Sequence, residues 1–204
     1  MSQSQTDSCN SALQRVGAAT IMDITDNSRE ARACAVAYDS TRKAELRKRK
    51  WRFALKRVTL APDTTSPNFE YQYAFTLPSD CLRIVLPADN PDLYWSLEGR
   101  KILTNYTQSP FLGAGFQPAA TGPALFLRYI ADIEDTTQWD PAFYEMFAIK
   151  LATAICEPLT QSNQKKGGLI AEYKEALMAA AKAQAFETLP ADPPADGWWI
   201  ARVR

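Results

Sequence analysis

Residues 27–57 read NSREARACAVAYDSTRKAELRKRKWRFALKR, and this one segment joins a helix, a basic run and an entry into sheet. Asn27 stands where a helix cap is wanted, with Glu30 three residues on, the spacing of a capping box. Ala31, Cys34, Tyr38 and Thr41 fall on one face at three-to-four spacing. Small residues on that face suit close packing against other helices. From Arg42 to Arg57 there are nine Lys or Arg and one acid, Glu45. Cations near a helix C-terminus are favoured by its dipole, so part of the run needs no partner. Trp51 and Phe53 end the polar stretch and are expected to anchor the helix into the sheet. Phe53, Leu55, Arg57 and Thr59 then begin a two-residue alternation.

Toward the N-terminus the pattern predicts a short helix over 8–16. Cys9, Ala12, Leu13 and Val16 share a face, Asp7 is placed to cap it and Gly17 to end it. The connector carries Ile21, Met22 and Ile24, expected to tuck against the bundle. The long helix is expected from about Ser28 to Lys50.

Toward the C-terminus, strand signals run from 51 to about 131. Tyr71, Tyr73, Phe75 and Leu77 alternate with polar or small residues. Cys81 to Leu86 is apolar apart from Arg83, and Gly99 sits in a hairpin between Leu93–Leu97 and Lys101–Thr104. Residues 105–123 read as a loop, and Leu125–Ile130 as a last strand. Asp140-Pro141 opens the clearest helix: Asp140 caps, Pro141 takes the first turn, and Trp139 is set to staple onto Tyr144. Its body is apolar almost all round, which places it at the centre of a bundle. Pro158 is expected to end or bend it. A last helix restarts at Ser162 or Asn163 and runs to about Glu187, burying Leu169, Tyr173, Ala176, Leu177 and Ala180.

The helices before and after the strands must pair to hide their apolar faces. The expected fold is α+β: an antiparallel bundle of four helices, two before and two after, with an inserted antiparallel β-sheet domain. Residues 1–50 and 132–187 form the two halves of the bundle, 51–131 the insert, and 188–204 an extended C-terminal tail.

The totals narrow the function. The chain has 204 residues, 46% of them hydrophobic, and a formal net charge of zero. A substantial core is therefore available, and the basic run is a local asymmetry. Its counterweight is Asp132, Glu134, Asp135, Asp140 and Glu145, which meet no Lys or Arg between Arg128 and Lys150. Four cysteines, Cys9, Cys34, Cys81 and Cys156, sit in apolar or small-residue settings and read as buried thiols. The polar N-terminus lacks a secretory apolar core, and no apolar run reaches a membrane span. Synthesis in a reducing cytoplasm, with no membrane contact, is expected. Histidine is absent, which removes the commonest general base and zinc ligand. No cofactor, metal site or catalytic residue is expected.

Three features carry candidate chemistry. Arg47, Lys48, Arg49, Lys50 and Arg52 are placed to face nucleic-acid phosphates, or else form a solvated helix end. Asp132, Glu134 and Asp135 are the residues a carboxylate-based glycan hydrolase would use, which needs two carboxylates at a set distance with one pKa raised. They also read as a polar turn. The tail ends in Trp198, Trp199 and Ile200, followed by Arg202 and Arg204; aromatic anchors on such a segment suit docking to a partner.

A series of residues in order resembles one family. It comprises Cys9, Asn10, Ala12, Leu13 and Gly17; Ala31, Cys34 and Tyr38; Trp51, Phe53 and Ala54. It continues through Leu77, Pro78, Asp80, Cys81, Leu82 and Arg83, the Glu98-Gly99 hairpin, and Arg128-Tyr129. It ends with Phe143, Leu151-Ala152, Leu159-Thr160 and Tyr173. Over residues 8 to about 187 the chain resembles the tail tubular protein A family, the head-to-tail adaptors of short-tailed bacteriophages. The resemblance implies a structural virion protein and a homo-oligomeric ring of twelve. Its partners would be the portal protein on one side and a six-fold tail nozzle protein on the other. DNA would pass through the lumen in transient, non-specific contact. Trp198, Trp199, Ile200, Arg202 and Arg204 would then dock the portal. Arg47, Lys48, Arg49, Lys50 and Arg52 would line the DNA channel or a ring interface. Some members have been proposed to degrade cell-wall or capsule polysaccharide.

Overall fold

The computed structural model describes residues 4–87, 94–105 and 124–186. It is α+β, as expected, with four helices and six strands among these residues. The tail at 188–204 and most of the loop at 105–123 lie outside them.

Helix α1 spans Gln5–Val16 and starts three residues earlier than the apolar pattern indicates. Ser4 is the cap: its hydroxyl accepts from the Asp7 amide at 3.0 Å, and the Asp7 carboxylate accepts from the Ser4 amide at 2.9 Å. Asp7 therefore closes a capping box from within the first turn and does not itself cap. Gly17 ends the helix at φ +77°, the left-handed conformation that glycine adopts without cost. In the connector, the Asn10 side chain bonds both backbone groups of Ile21, at 2.8 and 2.9 Å. Ile21 is thereby buried, whereas Met22 is 95% exposed, against expectation. Asp26 accepts from the amides of Met22 and Asp23, and that turn carries Met22 outward.

Helix α2 spans Arg29–Lys48 and is capped by Ser28, not Asn27. The Ser28 hydroxyl accepts from the Ala31 amide at 3.1 Å, while the Asn27 side chain accepts from Arg32. The helix stops two residues short of Lys50 because Arg49 is already extended, at φ −131° and ψ 165°.

The strands are β1 (Leu55–Leu60), β2 (Tyr73–Thr76), β3 (Cys81–Pro87), β4 (Trp95–Glu98), β5 (Lys101–Thr104) and β6 (Leu125–Ala131). They form two antiparallel three-stranded sheets where the sequence suggests one: β1-β6-β3 and β2-β5-β4. The chain changes sheet at the Pro78–Asp80 turn. Because β1 enters and β6 leaves as neighbours, with the Ala131 amide bonded to the Ala54 carbonyl at 2.8 Å, the insert begins and ends at one place.

After a single 3₁₀ turn (Thr136–Gln138), α3 spans Pro141–Thr160 and α4 spans Asn163–Phe186. Asp140 caps α3, accepting from the amides of Ala142 and Phe143 at 2.8 and 3.2 Å. Trp139 lies against Tyr144, with ring centroids 6.4 Å apart. α3 packs against α1, α2 and α4, which is why its sequence is apolar on every side. Pro158 does not end α3, which continues to Thr160. Its ring costs the bond to the carbonyl of Ala154, and Ala154 lies on an exposed flank. One buried cluster runs through all four helices and both sheets, from Leu13 and Tyr38 through Phe143 and Phe147 to Leu127, Phe75 and Ile102.

Candidate functional site: the basic end of the second helix

The nine cations of 42–57 do not act as a unit; the fold sorts them. Arg42 is only 4% exposed. Its guanidinium donates to both carboxylate oxygens of Asp132, at 2.9 and 3.1 Å, and pairs with Asp39 at 2.8 Å and Glu134 at 3.4 Å. Burial by itself would lower the pKa of Arg42, but these carboxylates outweigh it and the net direction is up. Lys43 stands 3.7 Å from Asp132, and Lys56 pairs with Asp80 at 2.9 Å.

Lys48 turns back into the bundle. It pairs with Glu45 at 2.5 Å, donates to the Tyr173 hydroxyl at 3.0 Å and lies 5.2 Å from the Tyr173 ring centroid. Glu45 is fully buried and also accepts from the Tyr173 hydroxyl at 2.6 Å. Burial would lower the Lys48 pKa, but the bonds to Glu45 and Tyr173 reverse this. Trp51, with Phe53 and Phe143 beside it, closes the helix end: Trp51 is 1% exposed, and its indole N–H donates to the Glu45 carbonyl at 3.0 Å. Its ring meets Phe143 edge-on at 4.9 Å. Trp51 does anchor the end of α2, but the ring it seats on belongs to α3 and not, as expected, to the sheet.

The remaining cations of the run face outward. Arg47, Arg49, Lys50, Arg52 and Arg57 are exposed. Among the described residues, no ion pair involves Arg47, Arg49, Lys50 or Arg57. Of the five basic positions expected at a channel or interface, Lys48 is thus committed to the fold, and the others are presented to solvent.

The acidic stretch, the counterweight to the basic one in the sequence, meets it in the fold. Asp132 and Glu134 neutralise Arg42. Asp140 is a cap, and Glu145 pairs with Arg15. Asp135 caps the 3₁₀ turn, accepting from the Thr137 amide at 2.9 Å. A polar cleft of about 540 Å³ does open here, lined by Lys43, Lys56, Asp80, Asp132, Glu134 and Asp135 among others. A glycosidase needs one carboxyl held protonated. The two cleft carboxyls with a resolved shift move the other way. Burial would raise Asp80, but Lys56 and Tyr129 outweigh it and hold it below the usual range. Asp135 is lowered by the Thr137 hydroxyl and amide.

Arg83 and Arg128 are functional candidates that the sequence reading did not group with the basic run. Arg83 donates to the carbonyls of Arg47 and Lys48 at 3.2 Å each, meeting the C-terminus of α2 from the sheet. The available signal was a lone cation interrupting each of two apolar strands. Trp198, Trp199, Ile200, Arg202 and Arg204 lie outside the described residues. No family model matches this chain, and no curated protein matches it.

Proposed function

We propose that this chain is a structural virion protein, a head-to-tail adaptor. In this reading its copies form a ring of twelve between the portal and the tail nozzle, and DNA passes through the lumen. The observation that carries the reading is the ordered series of residues from Cys9 to Tyr173. Several of those residues stand at the joints of one frame. Gly17 turns the chain out of α1, and Trp51 seats the end of α2 on Phe143. Tyr129 donates to Asp80 at 3.1 Å, tying β6 to the start of β3. Tyr173 joins α4 to Glu45 of α2. An adaptor works by presenting surfaces, and it needs such a frame to hold them at fixed positions.

In this proposal the helical bundle makes the contacts between neighbouring subunits, the strands face outward or toward the nozzle, and residues 188–204 engage the portal. The chain acts by fitting against other proteins, with no reactive centre of its own. Deleting residues 188–204 should leave the far-UV circular dichroism of a folded subunit and abolish attachment to the portal, as seen by electron micrographs of the mixed proteins. Normal attachment by the truncated chain would refute the role given to the tail.

A further inference from the structure

We infer that Arg47, Arg49, Lys50, Arg57 and Arg83, with Arg128 beside them, form a track for the phosphate backbone of duplex nucleic acid. The inference deepens the adaptor reading and rests on it for the source of the duplex.

The track is assembled by strand register. Arg57 and Arg128 are direct partners across β1 and β6, and Arg83 of β3 is opposite Ile130 of β6. Directly opposed residues share a face of the sheet, as do residues two apart on one strand. Arg57, Arg83 and Arg128 therefore lie on one face. The bonds from Arg83 to the carbonyls of Arg47 and Lys48 bring that face against the end of α2. Three cations of the helix run and the loop after it, Arg47, Arg49 and Lys50, thereby gain three from the sheet.

A solvated helix end does not account for this patch. The helix dipole favours cations only within its last turn, and Arg57 and Arg83 belong to strands. Arg57 stands directly opposite Arg128 across β1 and β6, so strand pairing gathers two like charges on one face. Five of the six cations of the track are arginines, whose planar guanidinium groups match phosphate oxygens in pairs.

The chemistry selects a duplex. Binding to single strands relies on open aromatic faces on which bases stack. Trp51 is 1% exposed, and Phe53 is packed between Trp51 and Phe143 at 6.4 and 5.0 Å. What remains is backbone contact, which is independent of sequence and steeply dependent on salt.

The test is fluorescence anisotropy of the full-length chain with a short labelled duplex, between about 50 and 200 mM salt. Arg57→Gln, the combination Arg49→Gln/Lys50→Gln/Arg57→Gln, and the control Lys182→Gln near the far end of α4 are compared, with circular dichroism confirming that each is folded. The wild-type chain is expected to bind with a dissociation constant on the order of 10⁻⁵ M at the lower salt. The triple variant should bind at least about tenfold more weakly, with a log–log salt slope shallower by about 2 to 3, and Arg57→Gln should lower the slope by about 1. The control should match the wild type. The inference is overturned by absence of binding, by patch variants that bind like the wild type, by tighter binding of single strands, or by equal binding of polyglutamate. Portal attachment is scored on the same proteins. If the chain attaches while its duplex binding ignores these substitutions, the track is overturned and the adaptor stands. If it binds duplex through these residues without attaching, the track is upheld and the adaptor reading falls.

Discussion

Ninety residues of chain separate Arg42 from Asp132, yet their side chains meet in a two-bond pair that is nearly closed to solvent. A buried charge left wholly without compensation costs about 3–5 kcal/mol; with Asp132 gone, Arg42 keeps its contacts with Asp39 and Glu134, which puts the cost at the low end of that range. Asp132→Ala should therefore lower the free energy of unfolding by about 3 kcal/mol, read from the urea midpoint at an unchanged m-value. A residue-scale pH effect follows from the tyrosines. Burial, the largest cause in each case, pushes Tyr38, Tyr129 and Tyr144 up to about 12 from an ordinary value of 10. A raised folded pKa means stability that is fully present below pH 10 and lost as pH rises toward 12. Absorbance at phenolate wavelengths should show these residues ionising together with loss of helical signal in that window; ionisation well before unfolding would contradict it.

At the scale of single elements, ends matter as much as bodies. The exit from α1 depends on a left-handed residue, and Gly17 supplies it. An added Cβ there would stand 3.4 Å from the Lys165 ammonium, the movable end of a long side chain. The cost of Gly17→Ala is therefore backbone strain, about 1–2 kcal/mol, measurable as a lowered thermal midpoint with helix content retained. The end of α2 is held differently. Trp51, Lys48, Tyr173 and the two bonds from Arg83 fasten it to α3, α4 and the sheet. A helix end held this firmly can present Arg49 and Lys50 in a fixed place.

At the scale of the whole molecule, the strands and helices share one core. Leu125, Leu127 and Ile130 of β6 belong to the same buried cluster as Tyr38, Phe143 and Phe147 of the helices. The insert at 51–131 is a topological unit, but its apolar face is completed by the bundle. Thermal unfolding followed by far-UV and near-UV circular dichroism should accordingly give one coincident transition. Two separated transitions would mean that the sheets and the bundle are stable apart.

Sequence by itself determined the α+β class, the six strands, the central place of α3 and the anchoring role of Trp51. These follow from local periodicity, from cap chemistry at Asp140 and from the all-round apolarity of one helix, all of which act over a few residues. Tertiary structure alone decided that the strands split into two sheets, since pairing partners such as β1 and β6 are far apart in the chain. It also decided which cations are spent on the fold. Arg42 and Lys48 look like Arg49 and Lys50 in the sequence, and what separates the two kinds is brought by distant segments: Asp132 and Glu134 to Arg42, and the Tyr173 hydroxyl to Lys48. The same long-range register places Arg83 and Arg128 beside the basic run, because strand pairing joins faces that no local spacing records.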